Sequence, residues 1–427
     1  MDSRPRRSTY ARLQDKLGGK IAARRHKPDY WLLVLSALLL TIGLVVVYSI
    51  SPGLAASQHI SQNYFITKQL ISVALGAVTF GLAASIPVET WRKSVGPLAM
   101  VTIIGCLIVM VTPLNVAYPA HRWIRLGSFS FQIAELIKLT LLVWLANFLT
   151  RQWRAGKLAD SNSTLKPLIV LLIIIGVIVA KLQSDLGSTG VMILMIGAMA
   201  FTIGIPLKRV ATIAGLVLVL LVLTIASSSY RRERLATYLH PESNCQTSGY
   251  QECQALISVG SGGIFGLGLG NSVQAYGYQP EASNDSIFAI MAEKFGFVGT
   301  LAIMAIYGVF ITRLKKVAER TADQFSRLLV VGVLAWFSTQ AFINIGAMVG
   351  LLPLKGITLP LISQGGTSLI FLTAALGLVF QISRYTSYSI TEPQAADNYE
   401  TTNTNYSPDG RRLGRAYNPT LTTRPRT

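Results

Sequence analysis

The 427-residue chain is 51% hydrophobic and only 13% charged, with a mean hydropathy of +0.48, which excludes a soluble globular protein of this size. Its formal charge of +19 would suggest nucleic acid as a partner in a soluble protein, so the placement of that charge decides. With the N-terminus cytoplasmic, 28 Lys and Arg residues fall in cytoplasmic segments and six fall outside, the positive-inside pattern of a multi-pass membrane protein with both termini inside. No nucleic acid is implied.

In chain order, residues 1–29 form a basic cytoplasmic arm, too long and too charged for a cleaved signal peptide and suited to anionic lipid head groups. Ten apolar runs able to span a core of about 30 Å then begin near Trp31, Tyr64, Pro97, Gln132, Pro167, Gly187, Val210, Ser286, Leu328 and Ser363. The predicted fold class is an all-α integral membrane protein of ten transmembrane helices over residues 30–386. A large extracytoplasmic loop, about 227–285, joins helices 7 and 8. Residues 387–427, rich in Asn, Thr, Pro and Arg, read as a disordered cytoplasmic tail.

Charges inside apolar runs are costly, about 2.5 to 3.5 kcal/mol each at the bilayer centre, and therefore need partners. Glu135 and Lys138, three apart in SFSFQIAELIKL, share a helix face and can pair. Lys181 and Asp185, four apart, can pair if their helix continues that far. Lys68, near the end of its run, is expected to snorkel.

The loop before the eighth run opens with YRRERL, which carries Arg231, Arg232 and Arg234, and continues through GYQECQALISVGSGGIFGLGLGNS. Its glycines do not fit G-x-G-x-x-G, so a nucleotide site is rejected, and the segment reads as an interfacial amphipathic helix followed by a pliable turn. Cys245 and Cys253 share the oxidising side, and a bridge is favoured over two free thiols. At the end of the loop, PEASNDSIFAIMAEKFG sets Glu281, Asp285 and Glu293 around a loop-to-helix junction. Asp285 suits a helix N-cap as well as it suits a general base, and the residues alone leave the two evenly balanced.

The segments HRWIRLGSFSFQIAELIKL, LQSDLGSTG, YRRERL, GYQECQALISVGSGGIFGLGLGNSVQ, PEASNDSIFAIMAEKFGFVG and NIGAMVGLLPLKGITLPLISQGGTSL occur in this order. Together they resemble the SEDS family (shape, elongation, division and sporulation) of bacterial polytopic glycosyltransferases, over about residues 31–384. Lys355 in LLPLKGITLP is similar to the division branch rather than the elongation branch. The chain departs from the family pattern at Ile133, where a proline is common, at Lys294, where a second acid is common, and at Gln364, where an aromatic is common.

The resemblance implies polymerisation of lipid II into glycan strands at the outer face of the bacterial cytoplasmic membrane, at the division septum. It implies Asp285 as the catalytic carboxylate and undecaprenyl pyrophosphate as leaving group. Arg122 with Trp123, Arg231, Arg232, Lys138, Asp185, Lys355, Ser363 and Ser368 are the candidates for sugar or pyrophosphate contacts, Arg122 and Arg232 being favoured because arginine forks match phosphate oxygens. Glu135 and Glu293 are assigned to structural support. No dedicated metal cluster is visible, although a divalent cation can ride on the pyrophosphate. The expected partners are lipid II, a class B penicillin-binding protein, other division proteins and membrane lipids. A flippase of lipid-linked sugars and a noncatalytic division scaffold are the alternatives.

Overall fold

The structure is a computed structural model that describes residues 27–111, 122–126, 129–226, 229–240, 245–247 and 249–385. The disordered tail expected at residues 387–427, and all but the last residues of the basic arm, lie outside the described residues. Helix α1 (Tyr30–Gln58) starts where Asp29 caps it, its Oδ1 accepting from the Trp31 amide at 3.1 Å. The Asp29 amide donates to Ser383 Oγ at 3.1 Å, which ties the first helix to the last.

Helices α2 (Tyr64–Ser85), α3 (Val88–Lys93) and α4 (Val95–Val111) follow. The all-helical expectation then needs a correction. Strands β1 (Trp123–Leu126) and β2 (Phe129–Gln132) pair antiparallel, with Trp123 opposite Gln132 and Leu126 opposite Phe129. Helix α5 (Ile133–Arg154) begins directly from that hairpin, so Ile133 opens the helix.

Helix α6 (Lys166–Ile175) runs on through a π-helical stretch, Gly176–Leu182, and stops there. Asp185 instead caps α7 (Leu186–Thr202), accepting from the Ser188 amide at 2.9 Å. The single helix that would have carried both Lys181 and Asp185 stops at Leu182, and the Lys181 side chain lies outside the described residues. After α8 (Leu207–Ala226), the connection to α11 holds α9 (Ser229–Leu239) and α10 (Tyr250–Ser261), and α11 (Ile287–Arg320), α12 (Gln324–Met348) and α13 (Gly366–Ser383) complete the chain.

Each of the ten apolar runs falls on a helical segment, and among the described residues seven stretches are long and apolar enough to cross a membrane. Burial separates centre from periphery. In the most apolar window of α5 and of α13, 83% is buried, and in that of α12 72%, against 22% in α2. Helix α2 meets the bundle along one stripe, where Thr79 Oγ1 donates to the Ile370 carbonyl at 3.1 Å and Gly377 lets the Phe80 backbone approach α13 closely.

Between α12 and α13, residues 349–365 form an irregular segment whose Leu354, Leu359, Leu361, Ile362 and Ser363 are buried. Non-helical backbone at this depth is sustainable because protein surrounds it and satisfies its polar groups. Tyr307 Oη donates to the Pro360 carbonyl at 2.5 Å, Ser363 Oγ accepts from the Leu359 amide at 2.7 Å, and Gly43 of α1 leaves room for the Ile362 backbone.

Candidate active site

Asp285 stands two residues before Ile287, the first residue of α11. Ser286 occupies the N-cap position, and its hydroxyl makes no capping bond but accepts from Gln251 Nε2 at 3.1 Å. Asp285 therefore does not hold the cap position that its place in the sequence offers as one of two readings, and the residue is only 8% exposed.

Three elements converge on it. From α12, Asn344 Nδ2 donates to the Asp285 carbonyl at 2.7 Å and to the Ile357 carbonyl at 2.6 Å, stitching the junction to the buried segment. From α10, Gln251 Nε2 reaches Asp285 Oδ1 at 3.5 Å. From the buried segment, Gly356, at φ 62°, leaves its Cα face open toward the carboxylate; an added Cβ would lie 3.5 Å from Asp285 Oδ2. Asp285, Asn344, Lys355 and Gly356 line one small cavity of about 10 Å³, about the space one water needs.

A second polar cluster lies one helical turn away along α12, since Gln340 and Asn344 share a face. Lys138, 1% exposed, donates to Glu135 Oε1 at 2.7 Å and to Gln340 Oε1 at 3.3 Å, and lies 4.9 Å from the centre of the Trp336 ring. Gln340 Nε2 in turn donates to the Thr358 carbonyl at 3.0 Å and to Ser368 Oγ at 3.2 Å. Lys138, Glu135 and Ser368 are thus joined inside the core, where they brace the buried segment from behind.

The hairpin forms the third side. Gln132, opposite Trp123, donates through Nε2 to Asp185 Oδ2 at 3.1 Å and through its backbone amide to Thr367 Oγ1 at 3.3 Å. Gly187, two residues after Asp185, packs against the Lys355 carbonyl and the Ile357 side chain. The starts of α5, α7 and α13 and the Lys355 segment therefore meet at one level. Arg122 and Trp123 sit half-buried at the hairpin edge.

Arg232 is exposed on α9, and the Arg231 side chain lies outside the described residues. Helix α9 is tied to the start of the buried segment where Tyr238 Oη donates to the Leu351 carbonyl at 2.9 Å. Cys245 and Cys253 are joined in a disulfide that pins the chain entering α10. Glu281 is exposed and at φ 52°, held by Asn284.

The glycine-rich turn has a structural task. Gly296 breaks α11 at φ 65°, ψ −167°, which frees backbone groups in the middle of an apolar helix. The turn takes them up: Leu267 N donates to Glu293 O at 2.9 Å, Gly268 N to Lys294 O at 3.0 Å, and Phe297 N to Gly263 O at 2.9 Å. Gly262, Gly266 and Gly296 sit where a Cβ would strike the facing backbone. Glu293, fully buried, accepts from the Val273 amide at 2.9 Å and from Ser272 Oγ, while Lys294 Nζ donates to the Leu269 carbonyl. Both side chains therefore anchor the loop that leads to Asp285.

Among the described residues no group of three or more His, Cys, Asp or Glu is gathered to hold a metal ion. Gln251, Gln340 and Asn344 were not singled out in the sequence. Gln340 and Asn344 had a signal, two amides four apart in an otherwise apolar run, while Gln251 had none.

Comparison with known proteins adds to this geometry. A family model described as cell cycle protein, grouping FtsW, RodA and SpoVE, matches residues 30–388. The chain is 37% identical over 359 residues to a protein of Saccharophagus degradans named "Probable peptidoglycan glycosyltransferase FtsW", covering 83% of this chain and 92% of that one. It is 32% identical over 369 residues to stage V sporulation protein E of Bacillus subtilis, covering 86% and 100%. Among solved structures, a chain from a peptidoglycan synthase complex that coordinates polymerization and crosslinking superposes with a TM-score of 0.67 at 27% identity, over 84% of this chain and 98% of that one. The rod shape determining protein RodA of Thermus thermophilus superposes with a TM-score of 0.60 at 26% identity, over 84% and 97%.

Proposed function

The chain belongs to the cell cycle protein family of FtsW, RodA and SpoVE, and from that premise we propose that it is a division peptidoglycan glycosyltransferase in which Asp285 is the general base. It joins the 4-hydroxyl of an acceptor N-acetylglucosamine to the anomeric carbon of a donor N-acetylmuramic acid. The bond from that carbon to undecaprenyl pyrophosphate breaks, and Asp285 takes the hydroxyl proton as the new bond forms. One direct displacement inverts the anomeric centre.

The observation that carries the reading is the setting of Asp285. The helix does not use it as its cap, yet the residue is buried and shares a cavity with Lys355, and its backbone is fixed by Asn344. Preorganised charge at a developing leaving group is where an active site gains most, so the pyrophosphate is assigned to cationic residues around the hairpin and α9. Arg122 and Arg232 are favoured, with Arg231, Lys355, Trp123 and Asp185 beside them. Lys138, Glu135, Ser363 and Ser368 act through the backbone segments they hold, and Glu293 through the glycine-rich turn. A divalent cation, in this reading, arrives on the pyrophosphate as part of the substrate.

The protein spans the bacterial inner membrane ten times, with cytoplasmic termini and an outer loop over residues 227–285 that carries α9 and α10. The charge asymmetry between its two sides supports that orientation. A class B penicillin-binding protein that docks through one membrane helix is the partner at the septum, with other division proteins. The likeness to a chain from a complex that couples polymerization to crosslinking supports this.

The test is reconstitution of the protein with its partner and purified lipid II. Asp285→Asn, melting at the wild-type temperature, makes no glycan polymer; polymer made at the wild-type rate by the folded variant refutes the assignment.

A further inference from the structure

A groove of about 660 Å³ opens between α7, the start of α8, the end of α11 and α12. Its walls are apolar, with Leu194, Phe201 and Leu334 lining it. Phe201 is 64% exposed and Leu194 54% exposed, so these side chains lack protein neighbours on the groove side. Gly197 keeps the groove deep, because a Cβ added there meets nothing within 4 Å.

The mouth is cationic. Lys315 and Arg327 line it, and Lys208 and Arg209 begin α8 beside it. Glu319 answers Lys315 only at 3.7 Å with both side chains exposed, an ion pair of little strength. Arg327 Nε is buried and has no hydrogen-bond partner, although a guanidinium donor out of water needs one.

From Arg327 to Thr339 the groove follows α12 over twelve residue steps, about 18 Å at 1.5 Å per residue. That is close to one leaflet of a hydrocarbon core of about 30 Å. The exposed apolar walls suit an acyl chain, and a polar end holding an unsatisfied arginine suits a phosphate.

We propose that this groove is a binding site for one anionic glycerophospholipid of the cytoplasmic leaflet. Its phosphate rests on Arg327 and Lys315, and an acyl chain lies along Leu194, Phe201 and Leu334. The positive-inside count assigns Arg313 to Arg327 to the cytoplasmic side, where anionic head groups attract such residues. The site is independent of the reaction at Asp285, and an adjacent anionic lipid at the α8 entrance would set how far α8 stands from α7.

The experiment is native mass spectrometry of the delipidated full chain titrated with phosphatidylglycerol or phosphatidylcholine. Thermal melting checks that each variant is folded. The wild type takes up one phosphatidylglycerol at least tenfold more tightly than phosphatidylcholine. Arg327→Gln abolishes that preference, and Gly197→Leu, which fills the groove and leaves every charge in place, lowers occupancy by either lipid at least tenfold. Equal affinity for the two lipids in the wild type overturns the proposal. So does wild-type occupancy in folded Gly197→Leu, or a Gly197→Leu protein that keeps its lipid and loses a partner helix or a second copy of the chain instead.

Discussion

Asn344 offers the sharpest stability test, because one side chain holds two backbone segments at once. Its Nδ2 donates at 2.7 and 2.6 Å to the carbonyls of Asp285 and Ile357, and the residue is 2% exposed. Asn344→Leu keeps the volume and removes both donors. Each buried carbonyl so orphaned costs about 1–3 kcal/mol in proteins generally. Side-chain hydrogen bonds measured inside membrane bundles average about 0.6 kcal/mol and reach about 1.7 kcal/mol. The two scales overlap near 2–3 kcal/mol for the pair of bonds, and that is the expected loss. Chemical unfolding in detergent micelles measures it. Polymer formation should fall more than the loss of folded protein explains, because the peptide group of Asp285 and the segment carrying Lys355 are no longer held together. A folded Asn344→Leu protein with unchanged stability and wild-type turnover would refute the clamp.

Three other substitutions probe separate parts of the architecture. Gly266→Ala places a Cβ against the Lys294 carbonyl at φ 81° and is expected to cost more than about 2 kcal/mol by thermal melting, whereas Gly260→Ala, in open space, changes stability by under about 1 kcal/mol. Cys245→Ser with Cys253→Ser opens a loop of sequence separation 8, which chain-entropy arithmetic values at about 2.5 kcal/mol, read as a drop in melting temperature that reductant reproduces in the wild type. Lys138→Met strands the Glu135 carboxylate in the core at a cost of about 3–5 kcal/mol, and Lys138→Met with Glu135→Leu regains most of it, the double-mutant cycle giving the coupling.

The hydrophobic runs were legible because bilayer thickness imposes a length that needs no tertiary information, and every helix that carries a run begins within a few residues of where its apolar run starts. Glu135 and Lys138 were legible for a similar reason: helix geometry alone brings residues three apart together. The hairpin was not, since WIRL and FSFQ are four-residue strands whose alternation is too short to separate from loop. Nor was the role of the glycines, because Gly266 answers a break at Gly296 that lies thirty residues on, and only the folded chain brings the two backbones together. The residues alone leave Asp285 balanced between cap and base; the helix start at Ile287 gives the cap position to Ser286, a boundary one residue finer than local pattern resolves. The buried segment at residues 349–365 carries no helical or strand period that would place it. Its place in the core follows from Asn344, Gln340 and Tyr307 satisfying its carbonyls, a pairing that no local pattern announces.

The central claim is that Asp285 acts in the chemical step, and a split between binding and turnover tests it most directly. Lipid II affinity and single-turnover polymerisation are measured on the same reconstituted samples of wild type and Asp285→Asn. The account predicts lipid II bound within about threefold of wild type and the chemical step slowed by at least about 10²-fold, the lower range for loss of a general base. Weakened binding with an unchanged rate on saturated enzyme would contradict it and make Asp285 a substrate contact.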